Sequence, residues 1–340
     1  MASIVLTNKC NLQCPYCFAG VLTAEGVKYF TVEDFIKALN FIKASPNERL
    51  GIVGGEPTIH PKLGQFLEII NKDNDIHHCI MFTNGIELEK YIDLLSEKFS
   101  LLINCNTPEN LGSSFSKLES SIKQLIKAGM NRFSLGINLY KLDMDFDYIF
   151  ELLKAANLKS VRFSSAISAY EKINSENMLD TLRKYNDIIL RFSEACVKHE
   201  IIPSFDCGSV PPFCIRDINL KRAQLKLNEI AKKYHDNSNI FGMMHCSAQI
   251  DILPDLTAVR SICFPYYEGV HIDKFENINQ MKQYFYDEVD SYMERMYASE
   301  ECRECIYRKR GQCCICMCFF MKQFKKLKEE DRLKAAAKND

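Results

Sequence analysis

From residue 1 to about residue 205, short apolar runs alternate with amphipathic stretches of helical period, and this alternation constrains the fold more than any other feature. The runs Ser3 to Thr7, Leu50 to Val53, His78 to Thr83, Leu101 to Cys105, Arg132 to Asn138 and Val161 to Ser164 read as strands. Between and after them, helices are expected at about Val32 to Ala44, Leu63 to Asn71, Glu87 to Lys98, Ser116 to Ala128, Phe146 to Ala156 and Glu176 to His199. Repeated strand-helix units build a parallel sheet, so the fold class is α/β. The 340 residues are ample for a real core, as one large domain or a large domain with an appendage.

Composition removes some classes of function. Lys and Arg number 43 against 44 Asp and Glu, a net charge of -1, so no overall basic field argues for nucleic acid. No apolar run approaches the roughly 18 residues that span a membrane. The start, Met1-Ala2-Ser3, enters the first strand directly, and a cytoplasmic protein is expected. Sixteen cysteines are many for that compartment, where disulfides seldom persist, and eleven of them fall in two groups toward the ends of the chain. Metal binding explains such crowding better than packing.

The first group is Lys9-Cys10-Asn11-Leu12-Gln13-Cys14-Pro15-Tyr16-Cys17-Phe18, three cysteines at C-x3-C-x2-C spacing after the first strand. Three thiolates on one tight loop suit a four-iron, four-sulfur cluster that leaves one iron without a protein ligand, open to substrate or cofactor. A buried cysteine pair or a zinc knuckle is the plainer reading of such residues. Gly54-Gly55-Glu56-Pro57-Thr58 follows the second strand, where two glycines let the backbone approach a ligand closely, although any Gly-rich turn would look the same. Thr83-Asn84-Gly85 closes the third strand as a turn. Ser134 and Asn138 share one face of the fifth strand, and Arg162 lies on the sixth; each needs a polar partner, from a bound ligand or from a neighbouring strand.

The pattern of Cys10, Cys14, Tyr16 and Cys17, with GGEP at Gly54 to Pro57, resembles the radical S-adenosylmethionine (SAM) superfamily. The resemblance implies a partial (β/α)6 TIM-like barrel over residues 1–205, with the active site at the C-terminal ends of the strands. It implies a [4Fe-4S] cluster on Cys10, Cys14 and Cys17 that binds SAM and cleaves it to a 5′-deoxyadenosyl radical. It further places Tyr16, Gly54, Gly55, Glu56, Thr83, Asn84, Ser134, Asn138 and Arg162 around SAM, with the GGEP backbone and Glu56 receiving its ammonium group.

Residues 206–240 read as a connecting loop and helix, 241–320 as a cysteine-rich α+β extension and 321–340 as a charged helical tail. In the loop, Cys207 is open to three roles: cluster ligand, catalytic hydrogen-atom donor or buried thiol. Cys214 carries the same ambiguity. Cys79, Cys105 and Cys196 are expected in the core. Cys246 and Cys263 bracket a hairpin that would bring them together, and Cys302, Cys305, Cys313, Cys314, Cys316 and Cys318 follow a helix at about Met281 to Ala298. Either zinc or iron–sulfur clusters suit such cysteines, and the N-terminal triplet favours iron–sulfur.

The tail resembles the SPASM extension of radical SAM enzymes, with departures: the hairpin turn is Asp255-Leu256-Thr257 without glycine, seven residues separate Cys305 from Cys313, and no cysteine follows Cys318. One or two auxiliary [4Fe-4S] clusters are implied, with Cys302, Cys305 and one of Cys313 or Cys314 in one, and Cys246 and Cys263 in another.

That resemblance points to hydrogen abstraction from a residue of a ribosomally made peptide or protein, ending in a thioether or carbon–carbon cross-link or in epimerisation. An external electron donor of flavodoxin or ferredoxin type is implied. With the chain starting at its first strand, a separate leader-peptide-binding protein, or the barrel and extension themselves, would read the substrate. A small-molecule substrate, sulfatase maturation and a non-catalytic iron–sulfur or zinc protein are the alternatives.

Overall fold

The structure, a computed structural model, describes residues 1–17, 26–45, 48–166, 177–205, 212–234, 249–262, 264, 269–310 and 321–337. Cys207, Cys246, Cys263, Cys313, Cys314, Cys316 and Cys318 lie outside them. Among the described residues the strands are β1 (Ala2–Val5), β2 (Leu50–Val53), β3 (Cys79–Thr83), β4 (Phe99–Asn104), β5 (Phe133–Leu139), β6 (Ser160–Ser165), β7 (Ile202–Phe205), β8 (Ile250–Ile252), β9 (Thr257–Val259) and β10 (Val270–His271). They form one sheet in the order β10-β9-β8-β1-β2-β3-β4-β5-β6-β7, parallel throughout from β8 to β7. Every residue of β1 is buried, as a strand covered on both faces requires.

The helices are α1 (Val32–Lys43), α2 (Leu63–Lys72), α3 (Pro108–Leu111), α4 (Phe115–Lys127), α5 (Asp147–Ala155), α6 (Met178–Lys184), α7 (Asn186–His199), α8 (Ile218–Lys233), α9 (Ile278–Glu288), α10 (Ile306–Lys309) and α11 (Met321–Ala336). The helix faces that meet the sheet are apolar. α1 buries Phe35, Ala38, Leu39, Phe41 and Ile42, and Phe35 stacks on Phe66 of α2 with ring centroids 4.3 Å apart. Each such side chain removed from water stabilises the fold by about 1.5–3 kcal/mol. Thr31 starts α1 by accepting the Asp34 amide at 3.0 Å.

Four local differences from expectation have physical causes. The third crossover is a 3-10 helix, Leu88–Leu94, rather than an α-helix over Glu87 to Lys98; both helix types bury every third or fourth residue, so apolar spacing does not separate them. The helix expected at Glu176 to His199 is broken into α6 and α7 at Tyr185, which is buried. β7 is a strand beyond the six read from the sequence, and its Pro203 is accommodated because β7 ends the sheet and pairs only with β6 among the described strands. The hairpin bracketed by Cys246 and Cys263 has its second strand at Thr257–Val259, which ends short of Cys263.

The β8-β9 hairpin does without glycine. Leu256 takes φ +61° at the turn, a left-handed conformation costing about 1–2 kcal/mol for a residue with a side chain. Its side chain is buried, which offsets that cost. β8 pairs in parallel with the outer edge of β1, so the extension continues the barrel sheet. At that seam Asp251 is buried, and its Oδ2 accepts the Ile262 amide at 2.8 Å. Burial pushes the Asp251 carboxyl up to about 6, against the opposing effect of the Ile262 amide, the Ser3 hydroxyl and Arg260.

Candidate active site

The cysteine loop leaves β1 and is fixed to its surroundings at both ends. Thr7 donates its hydroxyl to the Lys28 carbonyl at 2.8 Å, and Asn8 exchanges bonds with Gly26 and Lys28 at 2.6 and 2.8 Å. The Leu12 amide donates to Cys10 Sγ at 3.4 Å, and the Cys17 amide to the Cys14 carbonyl at 3.0 Å. At the far end of the loop the Tyr16 hydroxyl and the Cys14 thiol both donate to Asn106 Oδ1, the thiol at 3.4 Å. Asn138 also bonds the Tyr16 hydroxyl, and Tyr140 packs on the Tyr16 ring at 4.6 Å. Tyr16 thus ties the loop across the ends of β4 and β5.

The three thiols face one region. Burial pushes Cys10 up to about 11, with the charges of Glu56, Cys14 and Cys17 adding to the rise. Burial likewise raises Cys14, with Cys17 contributing. Thiolates around a single tetrahedral ion stand about 3.8 Å apart. Among the described residues no three His, Cys, Asp or Glu side chains gather as a single-ion site requires. A four-iron cube spreads its thiolates more widely, and two half-exposed thiols, Cys10 and Cys14, with the exposed Cys17 in electrostatic reach of both, fit that donor set.

The GGEP turn lies directly against the loop. A Cβ on Gly54 would come within 2.6 Å of the Thr7 carbonyl oxygen, and one on Gly55 within 2.2 Å of the Lys9 carbonyl oxygen. The Gly55 amide donates to Thr7 at 2.8 Å and the Glu56 amide to Lys9 at 2.9 Å. The glycines are therefore committed to close approach of the cysteine loop itself, a use the sequence pattern does not separate from close approach to a ligand.

Glu56 is fully buried. Its Oε1 accepts the Thr58 amide at 3.0 Å and the hydroxyls of Thr58 and Thr83 at 2.7 Å each; Oε2 accepts the Asn84 amide at 2.6 Å. Burial nonetheless holds its carboxyl above the usual carboxylate range, with these four donors opposing. The Glu56 side chain braces the β2 turn to the β3 turn. Asn84 extends the brace, donating its amide to Asn11 Oδ1 at 2.7 Å.

Deeper in the concave face, Arg162 donates to Asn104 Oδ1 at 3.1 Å, across Gly136, where a Cβ would come within 3.3 Å of the guanidinium. One layer nearer the loop, Ser164 donates to Asn138 at 2.5 Å. Ser134 is placed elsewhere. Strands rise about 3.3 Å per residue, so Ser134 sits about 13 Å below Asn138. There it donates to the Leu101 carbonyl at 3.5 Å and shares a cleft with His78, Ser100 and Arg132 at the N-terminal end of the strands. Period-two alternation put Ser134 and Asn138 on one face correctly, but says nothing of which end of the strand a residue occupies.

Asn106, Asn11 and Asn104 were not anticipated. Each lies at or just beyond a strand or motif end, and its partner is distant in sequence, so local pattern carries no signal for it. Cys79, Cys105 and Cys196 are buried as expected.

With the cysteine loop, GGEP turn and strand-end amides on one mouth of a parallel βα sheet, comparison with known proteins defines the class. A sequence profile described as the Radical SAM superfamily matches residues 4–184, more than half of the chain, and the chain belongs to that superfamily. A GTP 3′,8-cyclase of Alkaliphilus oremlandii is 25% identical over 145 residues, covering 39% of this chain and 45% of the relative. A 7,8-dihydro-6-hydroxymethylpterin dimethyltransferase of Methanocaldococcus jannaschii is 32% identical over 101 residues, 28% of this chain and 20% of that protein. The chain thus spans less than half the length of these relatives.

Among solved structures, anSMEcpe with bound AdoMet superposes with TM-score 0.61 at 18% identity, covering 100% of both chains. Streptococcus suis SuiB bound to S-adenosylmethionine gives 0.58 at 16%, covering 94% of this chain and 75% of that one. The fold is shared with these SAM-bound proteins. A [4Fe-4S] cluster and SAM are this chain's cofactors. No helix among the described residues is long and apolar enough to cross a membrane.

Proposed function

We propose that the chain uses SAM to abstract hydrogen from a residue of a ribosomally made peptide or protein, leading to a thioether or carbon–carbon cross-link or to epimerisation. The observation that carries this reading is the extent of the fold likeness: it covers all of this chain and all of anSMEcpe, extension included. Solved structures of these neighbours include anSMEcpe with bound AdoMet and Cp18Cys peptide and SuiB bound to precursor peptide SuiA.

Cys10, Cys14 and Cys17 would hold the [4Fe-4S] cluster, which when bound supplies reductive cleavage of SAM to a 5′-deoxyadenosyl radical. The Gly54–Glu56 backbone, Asn84, Asn138 and Arg162 would line SAM, while Thr83 and the Glu56 carboxylate hold the two turns in register. Tyr16 orients the loop through Asn106. Cys302 and Cys305, with Cys246, Cys263 and the cysteines at 313, 314, 316 and 318, would hold one or two auxiliary clusters, and Cys207 would serve as hydrogen donor if the outcome is epimerisation. The electron would come from a flavodoxin or ferredoxin in the cytoplasm, and a separate leader-peptide-binding protein, or the barrel and extension themselves, would read the substrate.

The second reading is a small-molecule substrate, favoured by the sequence relatives named for a GTP cyclase and a pterin methyltransferase. Anaerobic reconstitution with SAM and dithionite tests the common part: 5′-deoxyadenosine forms in the wild type and is absent in Cys17→Ala. Co-expression with short peptides encoded beside the gene separates the rest. Loss of two hydrogens from a peptide marks a cross-link, and solvent deuterium at one α-carbon marks an epimer. Turnover of a nucleotide or pterin with every peptide left unchanged would overturn the peptide reading.

A further inference from the structure

Cys214 precedes Cys302 by 88 residues, yet its turn packs against the segment that carries the C-x2-C pair Cys302 and Cys305. It sits in the 3-10 turn Phe213–Ile215, which follows the barrel. Three contacts fix that turn and its neighbour. Asn186 of α7 donates to the Ile215 carbonyl at 2.8 Å; Phe213 meets Tyr307 of α10 with ring centroids 6.2 Å apart; and Arg183 of α6 lies 3.9 Å from Glu301. Cys302 and Cys305 flank the same place. The Cys305 amide donates to the Cys302 carbonyl at 3.3 Å in a tight turn that brings the two residues of this C-x2-C together. Cys214 is within electrostatic reach of both thiols.

Two guanidiniums stand near the three thiols, although burial keeps the Cys214 thiol above its ordinary value. Arg183 and Arg216 both act electrostatically on Cys214, and Arg216 is buried with its guanidinium bonded to Gln224 at 3.1 Å. Three thiolates on a cluster leave a net negative charge that two neighbouring guanidiniums stabilise. Cys214 is exposed and Cys302 and Cys305 are half-exposed, so all three are reachable during assembly. As with Cys10, Cys14 and Cys17, three thiols lie within electrostatic reach of one another.

We infer that Cys214 is a ligand of the same iron–sulfur cluster as Cys302 and Cys305, so that one auxiliary cluster joins the loop leaving the barrel to the extension. This rests on the reading of Cys302 and Cys305 as cluster ligands. It adds a ligand to the set expected from the sequence, Cys302, Cys305 and one of Cys313 or Cys314.

The test uses the full chain carrying Cys10→Ala, Cys14→Ala and Cys17→Ala, which removes the SAM cluster, reconstituted anaerobically. Iron and sulfide per chain, the visible spectrum and the electron paramagnetic resonance spectrum after reduction are the readouts. Adding Cys214→Ala should remove about four irons and four sulfides per chain. Cys302→Ala should do the same, and the two together should remove no more than either alone. Cys214→Ser should keep part of the iron with a shifted resonance, while far-UV circular dichroism shows all variants folded.

If Cys302→Ala lowers iron but Cys214→Ala changes neither iron nor spectrum, the inference about Cys214 fails while the auxiliary-cluster reading stands. If Cys302→Ala also leaves iron unchanged, the underlying reading fails. Additive losses would place Cys214 on a different cluster, and zinc in place of iron would overturn the cluster assignment.

Discussion

Asn106 offers one amide oxygen to two donors of the cysteine loop, the Tyr16 hydroxyl and the Cys14 thiol. Removing it leaves a mostly buried phenol without that acceptor, a penalty of about 1–3 kcal/mol confined to the loop. Asn106→Ala should therefore keep its cluster iron but form 5′-deoxyadenosine about ten- to a hundredfold more slowly, since a small misplacement of reacting groups costs that much. Iron analysis beside chromatography of the nucleoside product checks both halves. Glu56 behaves differently, because both of its oxygens accept and none donates. Glu56→Gln turns an amide NH2 toward a donor and should destabilise the fold by about 1–3 kcal/mol in urea unfolding. Both residues show the limit of motif reading. Glu56 was legible as part of GGEP, but its four donors come from turns that only the folded sheet brings together. Asn106 belonged to no pattern.

The GGEP turn and the cysteine loop work as one element, joined by the Gly55 and Glu56 amides and by a contact with no room for a methyl group. Gly55→Ala would force its Cβ onto the Lys9 carbonyl and push the loop away. Iron bound by Cys10, Cys14 and Cys17 should then fall by more than half although no cysteine has changed, with far-UV circular dichroism unaltered; wild-type iron content in this variant would show the contact to be dispensable. At this scale most strands were legible, because a buried parallel strand is written in a handful of adjacent apolar residues. β7 was not, since Pro203 signals a break unless the strand is known to lie at the sheet's edge. The hairpin was legible in outline from alternation at Ile250 to Leu253, while its turn rests on Leu256 in a conformation usually left to glycine.

Across the whole molecule, barrel and extension share one sheet through the β1-β8 seam, and Asp251 is buried within it. Its carboxyl is raised from 3.8 to about 6, so the folded state holds this proton more tightly than the unfolded chain. The stability contributed by the neutral acid is complete below about pH 4 and is lost as pH rises through 6, amounting to about 2–3 kcal/mol. Asp251→Asn cannot ionise. Its stability relative to wild type, measured by urea unfolding of the cluster-free chain, should rise by about that amount between pH 4 and pH 8; a difference independent of pH would show that Asp251 stays charged.

The same seam sets an order of events during synthesis. β8, the partner of β1 on one side, is encoded some 250 residues after it. At about 5–20 residues per second, roughly ten to fifty seconds separate them on the ribosome. Throughout that interval β1, from which the cysteine loop leaves, has that edge unpaired, so Cys10, Cys14 and Cys17 gain their finished support only when the extension has emerged.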